Sequence, residues 1–247
     1  MNCGKCNPQQ LGIDFSMAFQ PIVAFSQQQI WGYETLVRGL NNEPASFILD
    51  QIDESKIHSF DQIIRSKAIK LAHSLNFEQI LSINFLPNAV YNPENCIQST
   101  LAACDALGFD KKRIMFEVTE AEKITDHAHL KNIFTEYKKH QFLTAIDDFG
   151  AGYSGLNLLA EWQPDIIKLD MNLIRDIDQN KTKQLIVKSI LDVCKGLGIQ
   201  VISEGVETRQ ELEVLVDFSV NLFQGYYFAK PLFEGLPAVP ESCFQLN

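Results

Sequence analysis

Strand-like apolar runs and helix-like amphipathic segments alternate along most of this 247-residue chain. That alternation restricts it to α/β architectures with a largely parallel sheet and crossover helices. Strand patterns are read at Met17–Phe25, Gln29–Val37, Ile80–Phe85, Arg113–Val118, Phe142–Ile146, Asp165–Leu169, Ile199–Ser203 and Val220–Phe223. Helical patterns fill Pro44–Leu75, Pro93–Leu107, the stretch from Asp126 to His140, a short piece after Ser154, Lys181–Leu197, and a segment capped by Thr208. Gly108 and Gly198 stand where helices should stop. Only Ser26, Gln27 and Gln28 separate the first two strands, too few for a crossover helix, so these two should form an antiparallel hairpin. Eight strands favour closure into a barrel, with a doubly wound open sheet as the competing fold.

The strands share a second feature: each apolar run is broken by polar residues near its carboxyl end. In order these are Glu34, then Asn84, then Glu117 with Glu120, then Asp147 and Asp148, then Lys168 and Asp170, then Glu204, and finally Gln224. One carboxylate at a strand end is usually a solvated loop boundary. A set on seven successive strands converges on one rim in a barrel, the face where that fold builds its active sites. The set is rich in hard oxygen donors and poor in His and Cys, which suits Mg2+ or Mn2+ rather than zinc. Carboxylates crowded on one rim repel each other unless cations balance them. Two metals that clamp the attacking and leaving oxygens point to hydrolysis of a phosphate ester. The stretch Asp148-Phe-Gly-Ala-Gly-Tyr-Ser-Gly suits a tight loop beside the site, and it lacks the Gly-Lys-Ser/Thr ending of a phosphate-binding P-loop.

Composition narrows the alternatives. A net charge of -10 argues against a nucleic-acid polymer as partner, since such proteins carry a basic face. No apolar run has the length of a membrane span, and the first ten residues lack the apolar core of a signal peptide, so the expected location is the cytoplasm. Cys3 and Cys6 form a C-G-K-C pair, half of a zinc site or a redox pair, with no second CxxC to complete four ligands. His58, His73, His127, His129 and His140 fall on helices rather than strand ends and read as packing or surface residues, and Trp31 and Trp162 read as core.

The segments F-Q-P-I-V, Y-E-T-L-V-R-G, S-I-N-F, F-E-V-T-E, D-D-F-G-A-G-Y-S-G-L, D-I-I-K-L-D, S-E-G-V-E-T and Q-G-Y-Y-F-A-K-P, in this order, resemble the EAL domain family of cyclic di-GMP phosphodiesterases. The resemblance runs from about Phe15 to Pro231. It implies a modified (β/α)8 TIM-like barrel with an antiparallel first strand, over residues 13–247, after a polar tail at 1–12. It further implies two divalent cations, Mg2+ or Mn2+, and hydrolysis of cyclic di-GMP to linear pGpG. Carried onto this chain, the metal ligands would be Glu34, Asn84, Glu117, Asp147, Asp148 and Glu204. Lys168, Glu204 and Glu34 would carry catalysis, Lys168 and Glu204 by positioning and activating the attacking water. Gln20, Leu36, Arg38, Asp170, Glu207 and Gln224 would meet the substrate, and Glu120 would hold the glycine loop.

Two residues depart from the family pattern. The E-A-L signature reads Glu34-Thr35-Leu36, and Thr35 should point away from Glu34 on a strand. Ala151 stands where many members have Thr. The family often dimerises near the glycine loop, so a homodimer is one implied assembly, and a separate sensory or regulatory partner is another expectation. The rival readings are a catalytically silent cyclic di-GMP receptor and a protein-interaction module. The presence of Lys168, Glu120 and Glu204 favours the enzyme.

Overall fold

The computed structural model describes residues 12–119, 127–152 and 155–246. Cys3, Cys6, Glu120 and Asp126 lie outside the described residues. Strand β1 (Ser16–Ala24) turns through a tight hairpin into β2 (Gln29–Arg38), and the two pair antiparallel as the short connection requires. Six more strands follow: β3 (Ile80–Asn84), β4 (Ile114–Thr119), β5 (Leu143–Phe149), β6 (Ile166–Leu169), β7 (Gln200–Ser203) and β8 (Leu222–Gln224). Strands β2 to β8 are parallel neighbours in sequence order, and β1 pairs antiparallel with both β8 and β2. The sheet is therefore a closed eight-stranded barrel and not an open doubly wound sheet. A short two-residue strand, β9 (Leu232–Phe233), pairs antiparallel with β1.

The helices differ from the sequence reading mainly in their breaks. The helical segments expected over Pro44–Leu75 are α1 (Ala45–Leu49) and α2 (Ile57–Ser74), while the single helix expected from Pro93 to Leu107 is split into α3 (Pro93–Cys96) and α4 (Gln98–Leu107). Then come α5 (His127–Lys139), α6 (Gly155–Glu161), the short α7 (Met171–Ile174), α8 (Lys181–Leu197) and α9 (Arg209–Asp217). Gly108 and Gly198 adopt left-handed backbone and end α4 and α8, as expected. Thr208 starts α9 with a reciprocal capping box to Glu211. No described helix is long and apolar enough to cross a membrane.

Because β1 and β2 form a hairpin, no crossover helix covers it. The C-terminal segment packs there instead. Pro237 accepts a hydrogen bond from the Tyr33 hydroxyl at 3.3 Å, and Phe244 lies 6.1 Å from Phe25 and 6.3 Å from Phe228, ring to ring. The core has two parts. Ile22, Ala24, Met115, Ala145, Ile166, Ile202 and Leu222 form one cluster, drawn from six strands, that fills the barrel interior. A larger cluster packs the outward faces of the strands against the helices.

Candidate active site

Strand pleating converts the interior apolar layer into a polar one. Side chains two residues apart on a strand share a face. Two residues beyond Met115, Ala145, Ile166, Ile202 and Leu222 stand Glu117, Asp147, Lys168, Glu204 and Gln224, and on the antiparallel β1 Gln20 lies two residues before Ile22. Glu34 faces Gln20 across the β1–β2 register, and Asn84 faces Glu117 across β3–β4. Apolar residues thus floor the barrel while acids line the carboxyl rim.

Lys168 sits at the centre of this layer, fully buried. Its Nζ lies 2.7 Å from Glu204, 2.9 Å from Asp147, 3.1 Å from Glu117 and 3.7 Å from Glu34. Burial opposes its charge, but Asp147, Glu117, Glu204 and Glu34 outweigh that and hold its pKa well above the ordinary lysine range. Four carboxylates against one ammonium still leave an excess of negative charge. Burial raises the Glu117 and Glu204 carboxyls well above their usual range, Lys168 opposes this, and neighbouring acids add to it. Asp148 is pushed up to about 6 by burial and then by Asp147 and Asp170.

Adjacent strand residues normally point to opposite faces, yet Asp147 and Asp148 line the same cleft. The cause is local: Asp148 has φ +53°, and the β5–β6 register shifts between Ile146 and Phe149. Asp tolerates this left-handed conformation better than most residues. Oxygen atoms of Glu34, Glu117 and Asp147 all lie within 4.8 Å of one another, as do those of Asp147, Asp148 and Glu204, so Asp147 belongs to both groups. The Asn84 amide bridges Glu34 and Glu117 at 3.1 and 3.0 Å. The donors are hard oxygens, they carry unbalanced negative charge, and a lone ammonium already occupies their centre. This arrangement fits a divalent cation.

The remaining predicted residues fall into three groups. Gln20 and Gln224 join the cleft: Gln224 Nε2 donates to Glu34 at 2.6 Å and to Gln20 at 3.2 Å. Glu207 lines it too, with its carboxylate 2.7 Å from Arg175. Leu36 and Arg38 continue the Glu34 face of β2 toward the rim, where Arg38 donates to the Val37 carbonyl at 2.8 Å. Asp170 caps α7 through the Asn172 N–H at 2.9 Å. Thr35 turns to the opposite face from Glu34 and donates to the Ser82 carbonyl at 2.6 Å. Of the histidines, His58 and His129 contact the carbonyls of Ala89 and Val90, and His140 meets Glu136.

Four contributors escaped the sequence reading. Ser82 Oγ donates to Glu117 at 2.6 Å, and its signal was its place two residues before Asn84 on the same face. The cleft, about 300 Å3, is also walled by Met171, Gly205 and Tyr226. Gly205 has φ +65° and a Cβ there would come within 2.4 Å of Met171 Cβ, so only glycine lets the two loops close. Met171 and Tyr226 remain exposed, and nothing in their local pattern sets them apart.

Known proteins share this fold. A family model described as EAL domain matches residues 9–231. The crystal structure of a standalone versatile EAL protein from Vibrio cholerae O395, c-di-GMP bound form, superposes with a TM-score of 0.92 at 51% identity, covering 95% of this chain and 99% of that one. Klebsiella pneumoniae BlrP1, as a manganese/cy-diGMP complex, gives 0.87 at 34% identity over 92% of this chain and 58% of that chain. Two Escherichia coli relatives are the blue light- and temperature-regulated antirepressor BluF, 31% identical over 92% of this chain, and the probable cyclic di-GMP phosphodiesterase PdeG, 28% identical over 87%. The chain spans about half the length of these two, 57% and 44%. By the family model, the match to relatives and the barrel itself, this chain belongs to the EAL domain family.

Proposed function

We propose that this chain is a divalent-cation-dependent phosphodiesterase that opens cyclic di-GMP at one phosphodiester to give linear pGpG. The observation that carries the reading is the rim of Glu34, Asn84, Glu117, Asp147, Asp148 and Glu204 gathered around Lys168, beside a cleft that an anionic ligand could enter only with its charge balanced. Glu34, Asn84, Glu117, Asp147, Asp148 and Glu204 would hold two cations, Mg2+ or Mn2+, with Asp147 common to both groups. Bound there, such cations supply Lewis-acid activation of water and neutralise charge developing on phosphate.

The chain's own groups have distinct tasks in this reading. Lys168 holds Glu204 and Asp147 in place and offers a positive charge beneath the reacting group. Glu204 opens onto the cleft, where its carboxylate is placed for proton transfer. Gln20, Gln224 and Glu207 offer hydrogen bonds along the cleft wall, and Arg38 offers a guanidinium suited to phosphate. Glu120 in this reading steadies the glycine loop.

The test is incubation of purified protein with cyclic di-GMP and Mg2+ or Mn2+, with chromatography for pGpG. Product that EDTA abolishes is the expected result. Binding of cyclic di-GMP without product would replace this reading by a silent receptor. The antirepressor role named for BluF makes an interaction module the second reading, and absence of binding would favour it.

A further inference from the structure

Behind the wall that carries Asn84 and Glu117 lies an ion pair that no part of the proposed chemistry uses. Asp61 and Arg65, one turn apart on α2, are 1% and 0% exposed and meet at 2.7 Å. Arg65 also donates to the Tyr137 hydroxyl on α5 at 2.7 Å. Its guanidinium lies 4.9 Å from the Phe116 ring and 5.5 Å from those of Phe85 and Tyr137. The second Asp61 oxygen accepts the backbone N–H of Leu86 at 3.0 Å.

These contacts converge on two strand ends. Phe85 and Leu86 directly follow Asn84, and Phe116 directly precedes Glu117. Pleating places Phe85 and Phe116 on the helix side while Asn84 and Glu117 face the barrel interior. The Phe85 N–H donates to the Glu117 carbonyl, tying the two ends together at 3.0 Å. A buried ion pair is a poor way to stabilise a fold, because desolvation offsets its attraction and an apolar pair of equal volume serves as well or better. What the pair adds is direction: a planar, charged group admits one arrangement of Tyr137, Asp61 and the rings around it.

We propose that the Asp61–Arg65 pair is a positioning element that holds Asn84 and Glu117 in register from behind the barrel wall. The proposal rests on the cation-binding reading above. It acts through the Leu86 amide and the Phe85 and Phe116 rings, and it makes no contact with substrate.

The test is Mn2+ binding to the full chain, followed by electron paramagnetic resonance, together with thermal unfolding in EDTA. Asp61→Asn/Arg65→Met removes both charges at nearly constant volume and keeps an acceptor for Leu86. Its unfolding midpoint should not fall below the parent's, while its Mn2+ affinity should drop by roughly tenfold, as loss of groups that orient metal ligands does. Tyr137→Phe, a smaller change, should weaken Mn2+ by a lesser factor and serves if the double variant does not fold. Parent-like Mn2+ affinity in both variants overturns the proposal, as does a fall in midpoint with affinity unchanged. Glu117→Gln separates the two ideas. If it leaves Mn2+ binding intact, the cation-binding reading itself fails; if it abolishes binding while the Asp61, Arg65 and Tyr137 variants do not weaken it, only the positioning proposal fails.

Discussion

Lys168 brings a positive charge to the centre of a barrel whose neighbouring polar groups are mostly acids, and this makes the residue-scale energetics lopsided. Removing Lys168 leaves buried carboxylates without their countercharge. Lys168→Met should therefore destabilise the metal-free protein by about 3–5 kcal/mol, the usual cost of breaking a buried pair from one side. Urea unfolding in EDTA measures this, and a parent-like midpoint would refute it. Removing an acid has the opposite sign. Asp147→Asn relieves repulsion, so in EDTA it should unfold no earlier than the parent. Its turnover on cyclic di-GMP should nevertheless drop on the order of a hundredfold or more, since even groups that only orient metal ligands contribute up to about that factor. Retained activity in both Asp147→Asn and Glu34→Ala, with metal present, would remove these residues from the site.

At the scale of elements, one buried acid organises two rim loops. Glu211 caps α9 and accepts the N–H groups of Glu207 and Thr208 at 2.9 and 3.0 Å, and on its other oxygen that of Asp176 at 3.0 Å. It therefore fastens the loop after β7 to the turn after α7, which carries Arg175, the partner of Glu207. Burial raises its pKa, but those backbone hydrogen bonds and Arg175 win, and the folded-state value is lowered from 4.5. A lowered carboxyl pKa stabilises the fold above the unfolded value, and that stability is lost as pH falls through the folded one. The stability gap between parent and Glu211→Gln should thus be constant at neutral pH and close below about pH 4. A gap that persists unchanged at pH 3 in denaturant titrations would contradict the assignment. In the same element Thr208→Ala should cost about 1 kcal/mol, the typical value of a helix N-cap.

For the molecule as a whole, acid crowding predicts that cations act as folding ligands. A ligand that binds only the folded state stabilises it by RT ln(1 + [L]/Kd), about 2.7 kcal/mol at a hundredfold excess over Kd. Mn2+ should raise the unfolding midpoint of the parent and leave that of Asp147→Asn nearly unmoved in scanning calorimetry. Equal shifts in both would mean that the cation binds elsewhere.

The division between what local sequence and tertiary structure decide follows from the range of the interactions. Strand period, the Gly108 and Gly198 stops, the Thr208 cap and the short hairpin link are all local, and each is legible in the sequence. So was the rim itself, because a period of two places Glu117, Asp147, Lys168, Glu204 and Gln224 directly above the apolar layer once the sheet closes. The C-terminal segment that covers the hairpin was not legible, because its place depends on packing against residues distant in sequence. The Ser82–Glu117 bond spans 35 residues, Arg65–Tyr137 spans 72, and Gln224–Glu34 spans 190. No window of sequence holds both partners of such pairs. By itself the sequence determined which residues could reach one rim and what chemistry they offer. Only the folded barrel decided their distances, and with them that one buried ammonium is set against four carboxylates, a balance that exists only when all five charges are brought out of water together.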